Sequence, residues 1–204
     1  MEPSFTDHCI KIFNQAINDY HLTDDVDCPI NNPFTKGSIE HNLYLKCWID
    51  TVQWHLEDLI RDPEINPADA LTLKRRIDKS NQDRTDLVEQ IDSYFLNYYS
   101  QVTLAADARL NTESPAWAID RLSILILKIY HMQEQVQRTD ASEEHLQCCG
   151  AKLNVLLEQR TDLSEAINQL LDDLQNGKVR MKVYRQMKMY NDPATNPVLY
   201  QQQK

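Results

Sequence analysis

Four consecutive residues, Arg84-Thr85-Asp86-Leu87, recur unchanged at residues 160–163, an offset of 76 residues. The same offset brings His55 onto His131. A similarity at one fixed offset indicates that a chain repeats a structural unit, and this constrains the fold more than any local pattern does. We therefore predict two similar units that carry the same polar residues at equivalent positions.

Helical periodicity and capping residues predict that each unit is a pair of helices. Serine and asparagine are favoured N-caps because their side chains accept hydrogen bonds from the free N–H groups of the first turn. The expected caps of the four long helices are Ser38, Asn66, Ser114 and Ser142, and Thr6 is expected to cap a shorter N-terminal helix.

These signals predict a single all-α domain. Its core is an elongated four-helix bundle made from two duplicated helical hairpins, with an N-terminal helix and a basic C-terminal strap added to it. The predicted parts are an N-terminal helix and linker (1–37), hairpin 1 (38–105), hairpin 2 (114–176) and a basic tail (177–204).

The composition excludes several function classes. With only three glycines, the chain lacks the glycine-rich loop of a nucleotide-binding fold. Its net charge of −10 disfavours binding to the nucleic-acid backbone, so no nucleic-acid partner is expected. No apolar run approaches the roughly 20 residues that span a bilayer, and the chain shows neither a signal peptide nor a disulfide framework. We therefore expect a cytoplasmic protein without a membrane span.

Arg84 and Arg160 interrupt the apolar stripes of the second and fourth long helices at equivalent places. One interpretation is an internal ion pair, because a buried arginine without a partner is strongly unfavourable. Its expected partners are carboxylates: Asp50, Asp86, Glu89, Glu134 or Glu165. The other interpretation is an anion site for a phosphorylated or acidic small ligand, because guanidinium groups bind such anions with paired hydrogen bonds. The candidate ligand-binding residues of that site are Arg84, Arg160, His55, His131, Asn81 and Arg185.

Carboxylates on the first two long helices give a second interpretation. Glu89 and Asp92 are three residues apart and therefore share a helix face, while Glu57 and Asp58 lie on the preceding helix. Mg²⁺ prefers a few carboxylates together with waters and substrate phosphates. These four residues are thus candidate Mg²⁺ ligands, and Glu89-x-x-Asp92 resembles half of the pattern of all-helical nucleoside-triphosphate pyrophosphatases. The alternative is a solvated acidic helix face without a bound ion.

The tail differs from the acidic remainder of the chain. From Lys178 to Lys204 it carries six lysines and arginines and one acidic residue. Such a segment is expected either to hold to the acidic body or to bind a phosphorylated ligand or an acidic partner. Arg185 is the tail residue among the candidate ligand-binding residues.

Three stretches of sequence carry a family resemblance. They are residues 45–58 (LKCWIDTVQWHLED), 75–86 (RRIDKSNQDRTD) and 182–193 (KVYRQMKMYNDP). They resemble the DUF4254 family, bacterial proteins of about this length that have no established activity. The resemblance covers nearly the whole chain and implies a link with envelope-glycan synthesis, but it implies no functional residues.

The leading hypothesis from the sequence is a cytosolic, non-enzymatic binding or accessory protein with a polar, anion-accepting site in a helical bundle. One alternative is a Mg²⁺-dependent nucleotide or phosphosugar pyrophosphohydrolase. Another is a structural oligomeric scaffold, which would have a protein partner or a second copy of the chain. The sequence leaves open whether the protein catalyses a reaction, and it names no cofactor apart from Mg²⁺ under the first alternative.

Overall fold

The computed structural model describes residues 3–187, which form five α-helices. Their bounds are α1 Phe5–Tyr20, α2 Ile39–Leu59, α3 Pro67–Tyr98, α4 Pro115–Val136 and α5 Glu143–Gln175. Residues 3–187 contain no β-strand, only an isolated bridge between Arg109 and Val179. The all-α class predicted from the sequence is therefore confirmed. None of these five helices is long and apolar enough to cross a bilayer.

Every helix begins at a side chain that caps its first turn. The predicted caps of α2 to α5 are confirmed: Ser38, Asn66, Ser114 and Ser142. For α1 the prediction was wrong by two residues, because Ser4 rather than Thr6 is the cap. The side chain of Ser4 accepts from the N–H of Asp7, and the Asp7 carboxylate accepts from the N–H of Ser4. This reciprocal pair satisfies two N–H groups, whereas Thr6 turns inward and its hydroxyl accepts from Asn168.

Helix α1 is part of the core rather than an addition to it. It packs against α2, α4 and α5. One face is fully buried and carries Cys9, Ile12, Phe13, Ala16, Ile17 and Tyr20. Burial of each large apolar side chain stabilises the fold by about 1.5–3 kcal/mol. The core is therefore shared by five helices, and not by α2 to α5 alone as predicted.

Helix α4 lies at the centre and contacts each of the other four helices. Helices α3 and α5 both pack on α4, but in the described range the backbones of these two helices do not approach each other closely. Part of the surface of α4 is consequently left uncovered, and Arg121 and Lys128 of α4 are exposed.

The chain after α5 turns back along the body. Gly177 has a φ of 67°, and a Cβ at this position would lie 2.2 Å from the carbonyl oxygen of Thr103. Only glycine fits such a close approach. Arg109 then exchanges backbone hydrogen bonds with Lys178 and Arg180, which places the beginning of the tail beside the α3–α4 loop. The remainder of the predicted strap, residues 188–204, lies outside the described residues.

Candidate functional site

Four charged side chains meet inside the protein, where α2, α3 and α4 pack together. Lys46 and Asp50 of α2 are buried one turn apart, and Asp120 of α4 is buried beside them. The Lys46 ammonium contacts Asp50 and lies 2.9 Å from Asp120. Arg84 of α3 donates two hydrogen bonds to Asp120, from Nε at 2.9 Å and from Nη2 at 2.6 Å. Two cations thus balance two carboxylates, which is the condition for burying such groups without a large penalty.

The two carboxyls of this charged cluster have different pKa values. Burial disfavours the ionised form of Asp120, but Lys46 and Arg84 outweigh burial and hold the pKa of Asp120 below its ordinary value. For Asp50 burial is the larger effect and raises the pKa, although Lys46 and the Ser123 hydroxyl, 2.6 Å away, favour the charged form. Asp120 is therefore the more readily ionised of the two carboxyls.

Arg84 is engaged within the protein. Its guanidinium faces both oxygens of Asp120, and its Nε also lies 3.5 Å from Asp50. The side chain is 25% exposed. This geometry corresponds to the internal ion pair, the first of the two interpretations of Arg84, and it leaves few donors of the guanidinium for a ligand.

The other candidate anion-binding residues lie on separate surfaces. Arg160 is half-buried on α5 and makes no hydrogen bond or ion pair within residues 3–187, and α5 does not contact α3. Asn81 accepts a hydrogen bond from the side chain of Gln53 and so joins α3 to α2. Arg185 is 81% exposed and lies 3.9 Å from Glu89. The three arginines therefore share no common partner.

The four candidate Mg²⁺ ligands occupy two places along the hairpin of α2 and α3. The register of the two helices is fixed where Gln53 bonds to Asn81. From this contact Glu57 lies one turn toward the connecting loop, and Glu89 lies eight residues in the opposite direction. At the helical rise per residue, they are about 18 Å apart along the axis. The pair Glu57 and Asp58 is thus not brought together with the pair Glu89 and Asp92.

Three histidines converge where α1, α2 and α4 meet. His21 directly follows α1, His55 lies on α2 and His131 lies on α4. The distance between ring centroids is 5.4 Å for each of the three pairs. One ring nitrogen of each histidine lies within 4.8 Å of those of the other two. In the described part of the chain, no other group of three or more His, Cys, Asp or Glu side chains converges in this way.

Each of the three rings has an unpaired Nε2 atom, and in His21 and His131 a hydrogen bond at Nδ1 accounts for the ring proton. The Nδ1 atom of His21 lies 2.7 Å from the carbonyl oxygen of Ile17, and that of His131 lies 2.7 Å from a carboxylate oxygen of Glu134. Acceptors at Nδ1 assign the proton to that atom and leave a lone pair on Nε2. The Nε2 atoms of all three rings are buried and have no hydrogen-bond partner among residues 3–187. Because buried polar atoms are nearly always paired, these three unpaired nitrogens, which lie close to one another, are a group that could hold one metal ion.

Aromatic rings enclose this three-histidine cluster. Tyr20 stacks on His55 with ring centroids 5.0 Å apart, and Trp54 stacks on His131 at 4.8 Å. Burial lowers the pKa of His55, and the neighbouring rings of His131 and His21 lower it further. The imidazole is thereby kept neutral, which is the form that coordinates a metal.

A carboxylate lies at the edge of the cluster. Oδ1 of Asp24 is 3.8 Å from Nε2 of His21. The backbone of Asp24 has a φ of 49°, a left-handed conformation that aspartate adopts more readily than most residues.

The spacing of the three histidines is close to that of a bound ion. Nitrogens bound to one tetrahedral Zn²⁺ lie about 3.4 Å apart. Since the ring nitrogens lie within 4.8 Å of one another, each pair would need to approach by no more than about 1.4 Å.

The sequence identified two of the three histidines. The repeat pairs His55 with His131, but the sequence pattern predicted an anion site for them. His21 precedes the repeated region and has no counterpart in it, so no sequence signal connected it with the others. Lys46 and Asp120 were also missed, although each is a charge in an otherwise apolar stretch of helix, and this pattern is typical of a buried ion pair.

Comparison with known proteins identifies a family without assigning an activity. The family model described as "Protein of unknown function (DUF4254)" matches residues 40–183. The matched range includes the charged cluster, His55 and His131, whereas His21 precedes it. No curated protein and no solved structure matches the chain. Since the match covers more than half of the sequence, the chain belongs to the DUF4254 family of proteins of unknown function.

Proposed function

We propose that this protein is a metal-binding accessory protein in which His21, His55 and His131 hold one divalent transition-metal ion. The observation that carries the proposal is the convergence of three buried Nε2 atoms without hydrogen-bond partners. Neutral imidazole is the commonest protein ligand for such ions. Zn²⁺ fits the site best, because it accepts three imidazoles in tetrahedral geometry.

The ion would connect three helices of the core. Its ligands come from the end of α1, from α2 and from α4, and these helices pack against one another. An ion that binds only the folded protein stabilises it by mass action, by about 2.7 kcal/mol at a concentration 100 times its dissociation constant. The expected consequence is a firmer attachment of α1 and of the linker that follows it.

Asp24 is the expected fourth ligand. Three histidines and a carboxylate complete a tetrahedral set, and a complete set is typical of a structural site rather than a catalytic one. This favours the non-enzymatic role predicted from the sequence over the pyrophosphohydrolase alternative. Asp24→Asn keeps a residue that accepts the left-handed backbone, and it should weaken Zn²⁺ binding by about 10- to 100-fold.

The test is a calorimetric titration of metal-free protein with Zn²⁺. We expect one ion per chain, and we expect His21→Gln, His55→Gln and His131→Gln each to lose at least about 100-fold in affinity. His8→Gln is the matched control, because His8 is exposed, pairs with Glu40 and lies outside the cluster. The proposal fails if the wild type binds no ion, or if His8→Gln loses as much affinity as His21→Gln.

A further inference from the structure

A groove lies beside the three-histidine cluster, between α2, α4 and α5. Its volume is about 680 Å³, and its walls include Trp54, Lys128, His131, Lys152 and Val155. Clefts of this size commonly bind small molecules. The groove borders the uncovered part of α4, so it is open to solvent.

The groove carries positive charge that the protein does not neutralise. Lys128 of α4 and Lys152 of α5 are exposed, and neither makes an ion pair or a hydrogen bond with any residue from 3 to 187. Asp58, the acidic residue of the groove wall, lies 3.6 Å from the guanidinium of Arg61, which it shares with Glu57, and it pairs with neither lysine. Two ammonium groups therefore remain without a partner, in a chain whose net charge is −10. This local charge is complementary to an anion.

The remaining surface of the groove is largely apolar. Trp54 forms one wall, and Val155, which is 53% exposed, forms another together with Met132 and Leu156. An inorganic anion between the two lysines would leave this surface in contact with water. A ligand with an apolar body would cover it, and removal of apolar surface from water favours binding.

We propose that this groove binds a small amphiphilic anion, a phosphate or carboxylate group attached to an apolar body. The anionic group contacts Lys128 and Lys152, and the apolar body lies along Trp54 and Val155. The anion-accepting function that the sequence placed at Arg84 is thereby assigned to another surface. The proposal goes beyond the metal centre and does not depend on it. The ring of His131 forms part of the groove wall, while its Nε2 atom faces the three-histidine cluster.

The first experiment is a titration of the protein with octyl phosphate below its micellar concentration, followed by tryptophan fluorescence and calorimetry. Octylammonium has the same apolar chain and the opposite charge, while inorganic phosphate has the same headgroup and no chain. We expect saturable binding of octyl phosphate, and binding at least about tenfold weaker for each of the two control compounds. Octanoate tests whether a carboxylate replaces the phosphate. A Trp54→Phe variant should lose the fluorescence change and retain binding.

Paired variants test the two lysines. Lys128→Met/Lys152→Met keeps the long apolar stems and removes both charges, and it should bind octyl phosphate at least about tenfold more weakly than the wild type. Lys11→Met/Lys36→Met removes two exposed charges elsewhere and should bind like the wild type. Val155→Asn should weaken the binding of octyl phosphate without changing the weak binding of inorganic phosphate.

The proposal is overturned if octylammonium binds as tightly as octyl phosphate, if the two double variants behave alike, or if no saturable binding occurs. Each titration is run on metal-loaded protein and on the His21→Gln variant, whose substituted residue lies outside the groove. A wild type that binds octyl phosphate but no Zn²⁺ would reject the metal centre alone. Loss of octyl phosphate binding with a full Zn²⁺ site would reject the groove proposal alone.

Discussion

Lys46 and Lys79 each face an aspartate four residues further along the same helix, but their surroundings differ. The side chain of Lys46 is fully buried and has Asp120 as a second carboxylate partner, whereas that of Lys79 is 71% exposed. We expect Lys46→Met to lower the free energy of unfolding by about 3–5 kcal/mol, because it leaves two buried carboxylates with one guanidinium. Lys79→Met should change it by less than about 0.5 kcal/mol, since exposed pairs on helices contribute little. Urea unfolding of both variants measures the difference, and equal effects would contradict a stabilising role of the charged cluster.

The pH dependence of the protein's stability tests how burial affects the ionisation of Asp92. It is 1% exposed, and its Oδ1 has no hydrogen-bond partner in residues 3–187. Burial raises the pKa of Asp92, although hydrogen bonds from Ser114 and Ala116 favour the charged form. A carboxyl with a higher pKa in the folded state binds more protons there, so its contribution to stability falls as pH rises above the unfolded value of about 3.9.

We therefore expect the free energy of unfolding of Asp92→Asn, measured relative to that of the wild type, to be higher at about pH 7 than at about pH 4. Comparison of the two pH values cancels the effect of the substituted amide on packing, because that effect is present at both. Urea unfolding curves of both proteins supply the four free energies that are needed. A difference that does not change with pH would show that Asp92 ionises equally well in the folded and unfolded chains.

At the scale of the elements, substitution of each of the three glycines by alanine should change the stability of the protein by a different amount. Gly150 lies inside α5 with free space around it, so Gly150→Ala should stabilise the protein by about 0.5–1 kcal/mol. Gly37 has a φ of 89° and no neighbouring atom within 4 Å, and Gly37→Ala should cost about 1 kcal/mol for its backbone conformation. Gly177→Ala should cost more than about 2 kcal/mol, because the methyl group also meets the carbonyl of Thr103. Thermal unfolding of the three variants gives the order, and a cost at Gly177 no larger than at Gly37 would contradict the close approach.

The first residues of the helices could be predicted from the sequence more readily than their last residues or the helices against which they pack. An N-cap such as Ser142 acts on its own first turn, so the signal is local. Hairpin 1 was expected to extend to residue 105, but α3 ends at Tyr98. An N-terminal helix was predicted, but not that it would pack on α4, because the partners of a helix depend on distant residues. The duplication of the hairpins stays a prediction.

At the scale of the whole molecule, the histidine cluster depends on contacts that no local pattern encodes. The repeat drew attention to His55 and His131, and their rings do meet. With His21 beside them, the three imidazoles support the proposed metal ion, whereas the sequence had suggested that His55 and His131 bind an anion together with an arginine. The groove was not predicted at all, because its walls come from three helices, α2, α4 and α5, whose packing no local pattern encodes.

The free cysteines can report on whether the metal ion holds α1 in place. Cys148 is exposed, whereas Cys9 of α1 and Cys47 of α2 are fully buried. Burial raises the pKa of Cys47 to about 12 and also raises that of Cys9, so neither forms the reactive thiolate readily. We expect a thiol reagent to modify Cys148 rapidly, and chelation of the ion to speed modification of Cys9 by at least about tenfold without affecting Cys148.

His21→Gln is the control for this measurement, because a variant that holds no ion should show fast modification of Cys9 with or without chelator. Peptide mapping by mass spectrometry after timed quenching assigns each modified cysteine. If the rate at Cys9 is the same in metal-loaded and metal-free wild type, the ion does not hold α1 to the body.

The position of α1 in the core has a consequence for biosynthesis. Its apolar face is covered in part by α4, which ends at Val136. At about 5–20 residues per second, a ribosome needs roughly 6–23 s to advance from the end of α1 to the end of α4. Throughout that interval Phe13 and Ile17 are only partly buried, and the nascent chain exposes an apolar helix face to other polypeptides. During synthesis, the apolar face of α1 is therefore open for a time to association with other polypeptides.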